Sequence, residues 1–101
     1  MLRQVYIILN DNVIYQRNFA KGLDDSLFPN VYSNLKKSAF SKFGEESATY
    51  EFFNFKFSYT VETSHKLIFL FITGLADDFK NIEPQLINFK KEFLDIYGES
   101  L

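Results

Sequence analysis

The chain has 101 residues with 13 acidic and 11 basic side chains, and its formal net charge is −2. This length suits one modest hydrophobic core, so we expect a single domain over residues 1–101. The weak negative charge argues against binding to nucleic-acid phosphates. Because the sequence has no cysteine and one histidine, it excludes disulfides, thiolate nucleophiles and metal sites built on cysteine or histidine clusters.

Long apolar segments are absent from the sequence. Residues 67–72 (LIFLFI) fall far short of the roughly 20 residues that a bilayer-spanning helix needs. Residues 5–9 (VYIIL) are shorter than the core of a signal peptide and are followed by the polar residues 10–12. We therefore expect a cytoplasmic protein, or the cytoplasmic domain of a larger one.

The first half of the chain predicts a β-hairpin followed by a helix. Residues 5–9 and 13–19 are rich in β-branched and aromatic side chains, and residues 10–12 (NDN) favour a turn between them. From Asp24 onward the apolar residues recur every three or four positions, which indicates an amphipathic helix. Pro29 fits only in the first turn of that helix, and Gly44 suits its C-terminal cap. The expected buried stripe is Phe28, Val31, Tyr32, Leu35, Ala39 and Phe43.

An aromatic ladder occupies residues 53–61 (FNFKFSYTV), where apolar side chains stand at every second position. This period predicts a strand with its aromatic face in the core. Tyr50 and Phe52 have the opposite parity, so residues 48–61 form either one strand bent at a bulge or two short strands. Exposed aromatics beside Lys56 would instead suit single-stranded nucleic acid, but the glycines of an RNA-recognition motif are missing and the charge is negative. Nucleic-acid binding is therefore a disfavoured alternative.

The last part of the chain predicts a central strand and a closing helix. Residues 67–72 are apolar without alternation, so this strand needs cover on both faces of the sheet. A helix follows from residues 77–78, and we expect Pro84 to restart it. Its predicted apolar stripe consists of Phe79, Ile82, Leu86, Phe89, Phe93 and Ile96, widened by Ile87 and Leu94. The element order β-β-α-β-β(-β)-α then predicts an α/β (α+β) fold, an α-β-α sandwich around a mixed, mostly antiparallel sheet of about five strands.

The sequence contains no recognisable arrangement of catalytic residues. Adjacent carboxylates occur at residues 24–25, 45–46 and 77–78, and two of these pairs stand where helices begin, so they suit capping. His65 lies in a predicted turn, and no glycine-rich phosphate loop is present. We therefore expect a protein that is not an enzyme, with no cofactor and no metal.

The ordered elements resemble the longin-domain superfamily. The resemblance is closest over residues 55–75 (FKFSYTVETSHKLIFLFITGL) and 82–99 (IEPQLINFKKEFLDIYGE). Within that superfamily, residues 1–19 and 90–99 are most similar to the N-terminal domains of signal recognition particle receptor alpha subunits. The resemblance implies a longin/profilin-like sandwich and a non-enzymatic adaptor that binds a small Ras-like GTPase in membrane trafficking or protein targeting.

A GTPase would be expected to dock on the edge of the hairpin and the exposed side of the first helix. The candidate contact residues are Tyr15, Arg17, Asn18, Asn34, Lys37 and Ser41. The alternative is a homodimeric structural or regulatory module of the longin/roadblock type, because a short sheet must protect its open edge.

Overall fold

The structure, a computed structural model, describes residues 2–21, 25–39, 47–52 and 54–100. Two strands, a helix, three strands and a second helix follow one another along the chain. The strands are β1 (Leu2–Leu9), β2 (Asn12–Asn18), β3 (Ser47–Phe52), β4 (Phe55–Glu62) and β5 (Leu67–Gly74). The helices are α1 (Phe28–Ala39) and α2 (Phe79–Tyr97), with 3-10 turns at Asp25–Leu27 and Gly98–Ser100.

The five strands form one sheet in the order β2-β1-β5-β4-β3. Every pairing between neighbours is antiparallel, so the α+β class is confirmed and the expectation of a mixed sheet is wrong. The reason lies in the connections: β1–β2, β3–β4 and β4–β5 are hairpins, and the remaining neighbours, β1 and β5, also run in opposite directions. The segment containing α1 connects β2 at one edge of the sheet to β3 at the other.

Helix α1 covers one face of the sheet, called here the α1 face. Its Val31 and Leu35 are fully buried against the alternate residues of β1, β4 and β5. Phe28 stacks on Tyr6 with ring centroids 4.4 Å apart. Pro29 is the second residue of the helix, as predicted, where no intrahelical partner for its nitrogen is needed. The predicted stripe position Phe43 and the cap at Gly44 lie outside the described residues.

Helix α2 covers the opposite face, called here the α2 face. Its Ile82 and Leu86 are buried with Val5, Ile7 and a second set of β5 side chains. The helix is continuous from Phe79 to Tyr97, so the predicted restart at Pro84 is wrong. Pro84 lies just beyond the first turn, so its missing N–H frees only the carbonyl of Lys80, an exposed residue near the helix start. Asp78 caps the helix by accepting a 3.1 Å hydrogen bond from the backbone N–H of Lys80.

Residues 48–61 contribute to two strands, β3 and β4, rather than to one bent strand. Phe52 pairs with Phe55 across the turn that joins them, where Asn54 has a positive φ of 66°. This turn explains the change of parity in the sequence. Phe57, Tyr59 and Val61 are buried on the α1 face and Phe55 is partly buried there, which confirms the core-facing prediction for these residues, whereas Phe53 lies outside the described residues. The buried rings of Phe57 and Tyr59 have no surface for base stacking. Ser58 and Thr60, between them, are also buried, because α2 covers the other face of β4.

Candidate interaction surface at the β2 edge

Strand β2 is an edge strand that is exposed at all of its positions. It pairs with β1 on one side, and no described strand lies beyond it. Val13, Ile14 and Tyr15 are 44%, 46% and 41% exposed, which is high for three consecutive apolar residues. Natural edge strands are usually protected by lysines, prolines or covering segments, because their free backbone groups pair readily with another strand. This edge is therefore a candidate interaction surface.

A β-bulge shapes the surface. Ile7 pairs with Tyr15 and Ile8 pairs with Val13, so Ile14 is an extra residue in β2. A bulge of this kind breaks the strict alternation of side chains. Its consequence is that the consecutive residues Ile14 and Tyr15 both line a cleft on the α2 face of the sheet.

That cleft lies between the β2 edge and the C-terminal half of α2, and we call it the edge groove. It has a volume of about 490 Å³ and a mostly apolar lining. Ile96 is 70% exposed and Tyr97 52%, although the sequence pattern placed Ile96 in the buried stripe. The lining residues are Ile7, Ile14, Tyr15, Phe89, Glu92, Phe93, Ile96, Tyr97 and Ser100.

The floor and helix wall of the edge groove are held by aromatic contacts with the core. Phe69, which is fully buried on β5, makes edge-to-face contacts with Phe89 at 6.1 Å and Phe93 at 5.5 Å between ring centroids. Phe93 in turn lies 5.1 Å from the ring of Tyr97. These contacts fix the C-terminal half of α2 relative to the sheet, so the shape of the groove depends on Phe69.

Charge is distributed unevenly around the edge groove. Glu92 is in its lining, and the exposed Asp95 and Glu99 lie on the same end of α2. The C-terminal end of a helix also carries a partial negative charge. On the strand side, the guanidinium of Arg17 lies 4.9 Å from the ring centroid of Phe19. The surface therefore presents apolar side chains between a negative helix end and one positive strand residue.

Of the six residues predicted to contact a partner, the structure describes five and divides them between the two faces of the sheet. Tyr15 and Arg17 pair with Ile7 and Val5, so they lie on the α2 face. Asn18 lies on the α1 face, where its side-chain oxygen accepts a 3.1 Å hydrogen bond from Gln4. Asn34 and Lys37 are exposed on α1, which packs on that same face. Ser41 lies outside the described residues.

A polar cluster joins α1 to the hairpin turn. The carboxylate of Asp11 lies 2.6 Å from the ammonium of Lys36 and accepts a 2.7 Å hydrogen bond from the Tyr32 hydroxyl. The Lys36 and Tyr32 hydrogen bonds lower the pKa of Asp11 below its usual value of 3.8. The pKa of the Tyr32 hydroxyl is raised by burial and by its bond to Asp11. These contacts hold α1 next to the β1–β2 turn.

Replacing Lys36 with methionine should raise the pKa of Asp11 toward 3.8, because it removes the hydrogen bond from Lys36 that contributes most to lowering this pKa. A carboxyl group whose pKa is lower in the folded chain than in the unfolded chain stabilises the fold at pH values above its unfolded pKa. This stabilisation is lost as the pH falls through the pKa of the folded state. NMR titration of the Asp11 carboxyl between pH 2 and 6 measures the change. Lys37→Met is the matched control, and an equal shift in both variants would contradict the assignment.

Other polar groups in the described part of the chain give no competing site. Glu62 and His65 form a hydrogen-bonded turn with 2.6 Å between Oε2 and Nδ1. Burial raises the pKa of Glu62, but its bonds to His65 and Ser64 together hold it below the usual value. Within residues 2–21, 25–39, 47–52 and 54–100, no group of three or more potential metal ligands is found. Across those same residues, neither helix is long and apolar enough to cross a bilayer.

The sequence pattern predicts Tyr15 on the hairpin edge but does not reveal the groove beside it. The helical period of α2 correctly marks Ile82 and Leu86 as buried, yet the same period continues to Ile96, which lines the edge groove and is 70% exposed. The wide apolar stripe of α2, with Ile87 and Leu94 beside it, is a signal that the helix has more apolar surface than one sheet face can cover. Comparisons of the chain with protein-family models, with curated proteins and with solved structures give no match.

Proposed function

We propose that this chain is a longin-type adaptor domain, with a longin/profilin-like sandwich, that binds a small Ras-like GTPase in membrane trafficking or protein targeting. The observation that carries the proposal is β2, an edge strand whose seven residues are all exposed. The element order β-β-α-β-β-β-α, with one helix on each face, is the plan that the longin resemblance implies. The domain would act in the cytoplasm and reach a membrane through its partner.

Binding at this edge would be physical rather than catalytic. An extended segment can add to an exposed edge strand through main-chain hydrogen bonds, while alternate side chains supply specificity. The switch segments of a small GTPase are ordered by the γ-phosphate and released on hydrolysis. A partner that presents an ordered strand in its GTP state therefore meets the β2 edge in the form that can pair with it.

Two side chains next to that edge would give the contact its specificity. Tyr15 is 41% exposed and combines an apolar ring with a hydroxyl, a type that is enriched where interfaces bind most strongly. Arg17 is held against Phe19, which reduces the side-chain freedom that binding would otherwise remove. Asn18, Asn34 and Lys37 lie on the other side of the edge, where a larger partner would reach them.

Titration of the domain with small Ras-like GTPases, including the beta subunit of the signal recognition particle receptor, tests the proposal. We expect at least one GTPase to bind its GTP-loaded form more tightly than its GDP-loaded form. Tyr15→Ala should weaken that binding by about tenfold, which is the effect of removing roughly 1.4 kcal/mol. Ile87→Ala, which truncates an exposed apolar residue outside the groove, is the matched control. Absence of binding to every GTPase by the folded domain would overturn the proposal.

A further inference from the structure

We infer that the β2 edge and the edge groove form a self-association surface, on which a second copy of this chain binds. In the dimer, β2 of each copy pairs antiparallel with β2 of the other about a twofold axis. This inference stands on the geometry of the β2 edge and does not depend on GTPase binding.

Symmetry brings the edge strand and the groove into one interface. A twofold axis that relates two antiparallel edge strands stands perpendicular to the joined sheet, so equivalent faces lie on the same side. Both copies of α2 then lie on one side of the joined sheet, with their C-terminal halves toward the axis. Because the C-terminal half of α2 flanks the edge at Ile14 and Tyr15, the groove of each copy faces the α2 helix of the other. The exposed Ile96 and Tyr97 become buried in the same step that pairs the strands.

The exposed apolar area is large enough to support a dimer. Six side chains on and beside the edge are between 41% and 70% exposed. With about 150–250 Å² for a large side chain, they offer on the order of 500 Å² per copy. A standard interface buries about 800 Å² per partner, and the backbone and polar atoms of β2 would add to the apolar share. The six residues are Val13, Ile14, Tyr15, Phe19, Ile96 and Tyr97.

The charges at the surface are self-complementary when the axis lies near Gln16. This register sets Tyr15 of one copy opposite Arg17 of the other, twice, and both side chains lie on the α2 face. The guanidinium of the second copy's Arg17 then lies beside the groove that contains Glu92 and ends at the negative end of α2. An axis through Arg17 itself would place two guanidinium groups against each other. The sequence therefore favours the register that pairs each Arg17 with an aromatic ring and an acidic groove.

Sedimentation equilibrium of the whole chain between 1 and 500 µM tests self-association directly. We expect the mass to rise from one copy to two over this range, with no larger species. Ile14→Lys places a cation at the groove and should raise the dimer dissociation constant by at least about tenfold. Leu75→Lys is the matched control, because Leu75 is 43% exposed and follows β5, outside the groove. Circular dichroism verifies that both variants are folded.

A charge exchange tests the proposed register. Arg17→Glu and Glu92→Arg should each raise the dimer dissociation constant about fivefold, and the double variant should recover most of the wild-type value. The inference is overturned if the chain stays monomeric at 500 µM, if Ile14→Lys acts no more strongly than Leu75→Lys, or if the double variant dimerises no better than the single variants.

The same samples separate this inference from the proposed function. A strictly monomeric chain that binds a GTP-loaded GTPase overturns self-association and leaves the adaptor function in place. A chain that dimerises as described and binds no GTPase overturns the adaptor function and leaves self-association in place. If both occur, they must compete, because one β2 edge cannot pair with two strands at once.

Discussion

Phe57→Ala is expected to lower the free energy of unfolding by about 3–5 kcal/mol, because it removes a large buried ring and leaves a cavity. Phe57 is fully buried on the α1 face, in the same cluster as Val31, Leu35 and Ile72. Its strand is held between β3 and β5, which limits how far the backbone can move to close the space. Chemical denaturation followed by circular dichroism measures the loss.

Two other phenylalanines give the controls for this measurement. Phe55 lies two residues earlier on the same strand but is only partly buried, with the Arg3 guanidinium 5.6 Å from its ring centroid. Its truncation should cost clearly less than that of Phe57. Phe19 is 50% exposed, so Phe19→Ala should change stability by less than about 1 kcal/mol. Equal losses at Phe55 and Phe57 would contradict the burial pattern of β4.

The centre of the sheet could be predicted because its residues fit few other positions in the fold. The run at residues 67–72 is apolar on both parities, so it needs cover on both faces wherever it lies. It forms most of β5, which lies between β1 and β4 and is buried from Leu67 to Thr73. Alternation along 55–61 likewise determines which β4 residues face α1. Along β4, a shift of one residue would turn these aromatic side chains away from the α1 face.

The edge could not be predicted in the same way, because its geometry depends on contacts distant in sequence. The bulge at Ile14 is defined by pairing with Ile7 and Ile8, and β2 itself alternates too weakly to reveal an extra residue. Similarly, the period of α2 marks Ile96 as a core residue, although it lines the edge groove and is 70% exposed. Which part of α2 is covered depends on how strands from both halves of the chain assemble.

The predicted contact residues illustrate the same limit. The hairpin pattern predicts Tyr15 and Arg17 as edge residues, and both lie on β2. Asn34 and Lys37 belong to the polar side of α1, but α1 packs on the face of the sheet opposite to Tyr15. A helical pattern shows which side of a helix is polar, whereas the face of the sheet that it covers depends on the path of the crossover. Asp11 and Lys36, which join α1 to the hairpin turn, are not among the six predicted contact residues.

Phe69→Ala should combine a loss of stability with a change at the edge groove. Phe69 is fully buried on the α2 face, so its truncation should cost about 3–5 kcal/mol, as at Phe57. Unlike Phe57, it supports Phe89 and Phe93, which form part of the groove lining. The cavity left by the ring lets the C-terminal half of α2 move toward the sheet. The shape of the groove then changes even in molecules that remain folded.

The NMR methyl signals of Ile96 distinguish this local effect from general destabilisation. Under conditions where both variants are folded, Phe69→Ala should shift these signals and raise the dimer dissociation constant, whereas Phe57→Ala should do neither. Phe69→Leu, which refills part of the space, should restore most of the stability and move the Ile96 signals back toward their wild-type positions. If Phe57→Ala and Phe69→Ala perturbed Ile96 equally, the groove would depend on overall stability and not on the aromatic contacts beneath it. Because the two rings are buried on opposite faces of one sheet, the comparison isolates the side on which the groove is built.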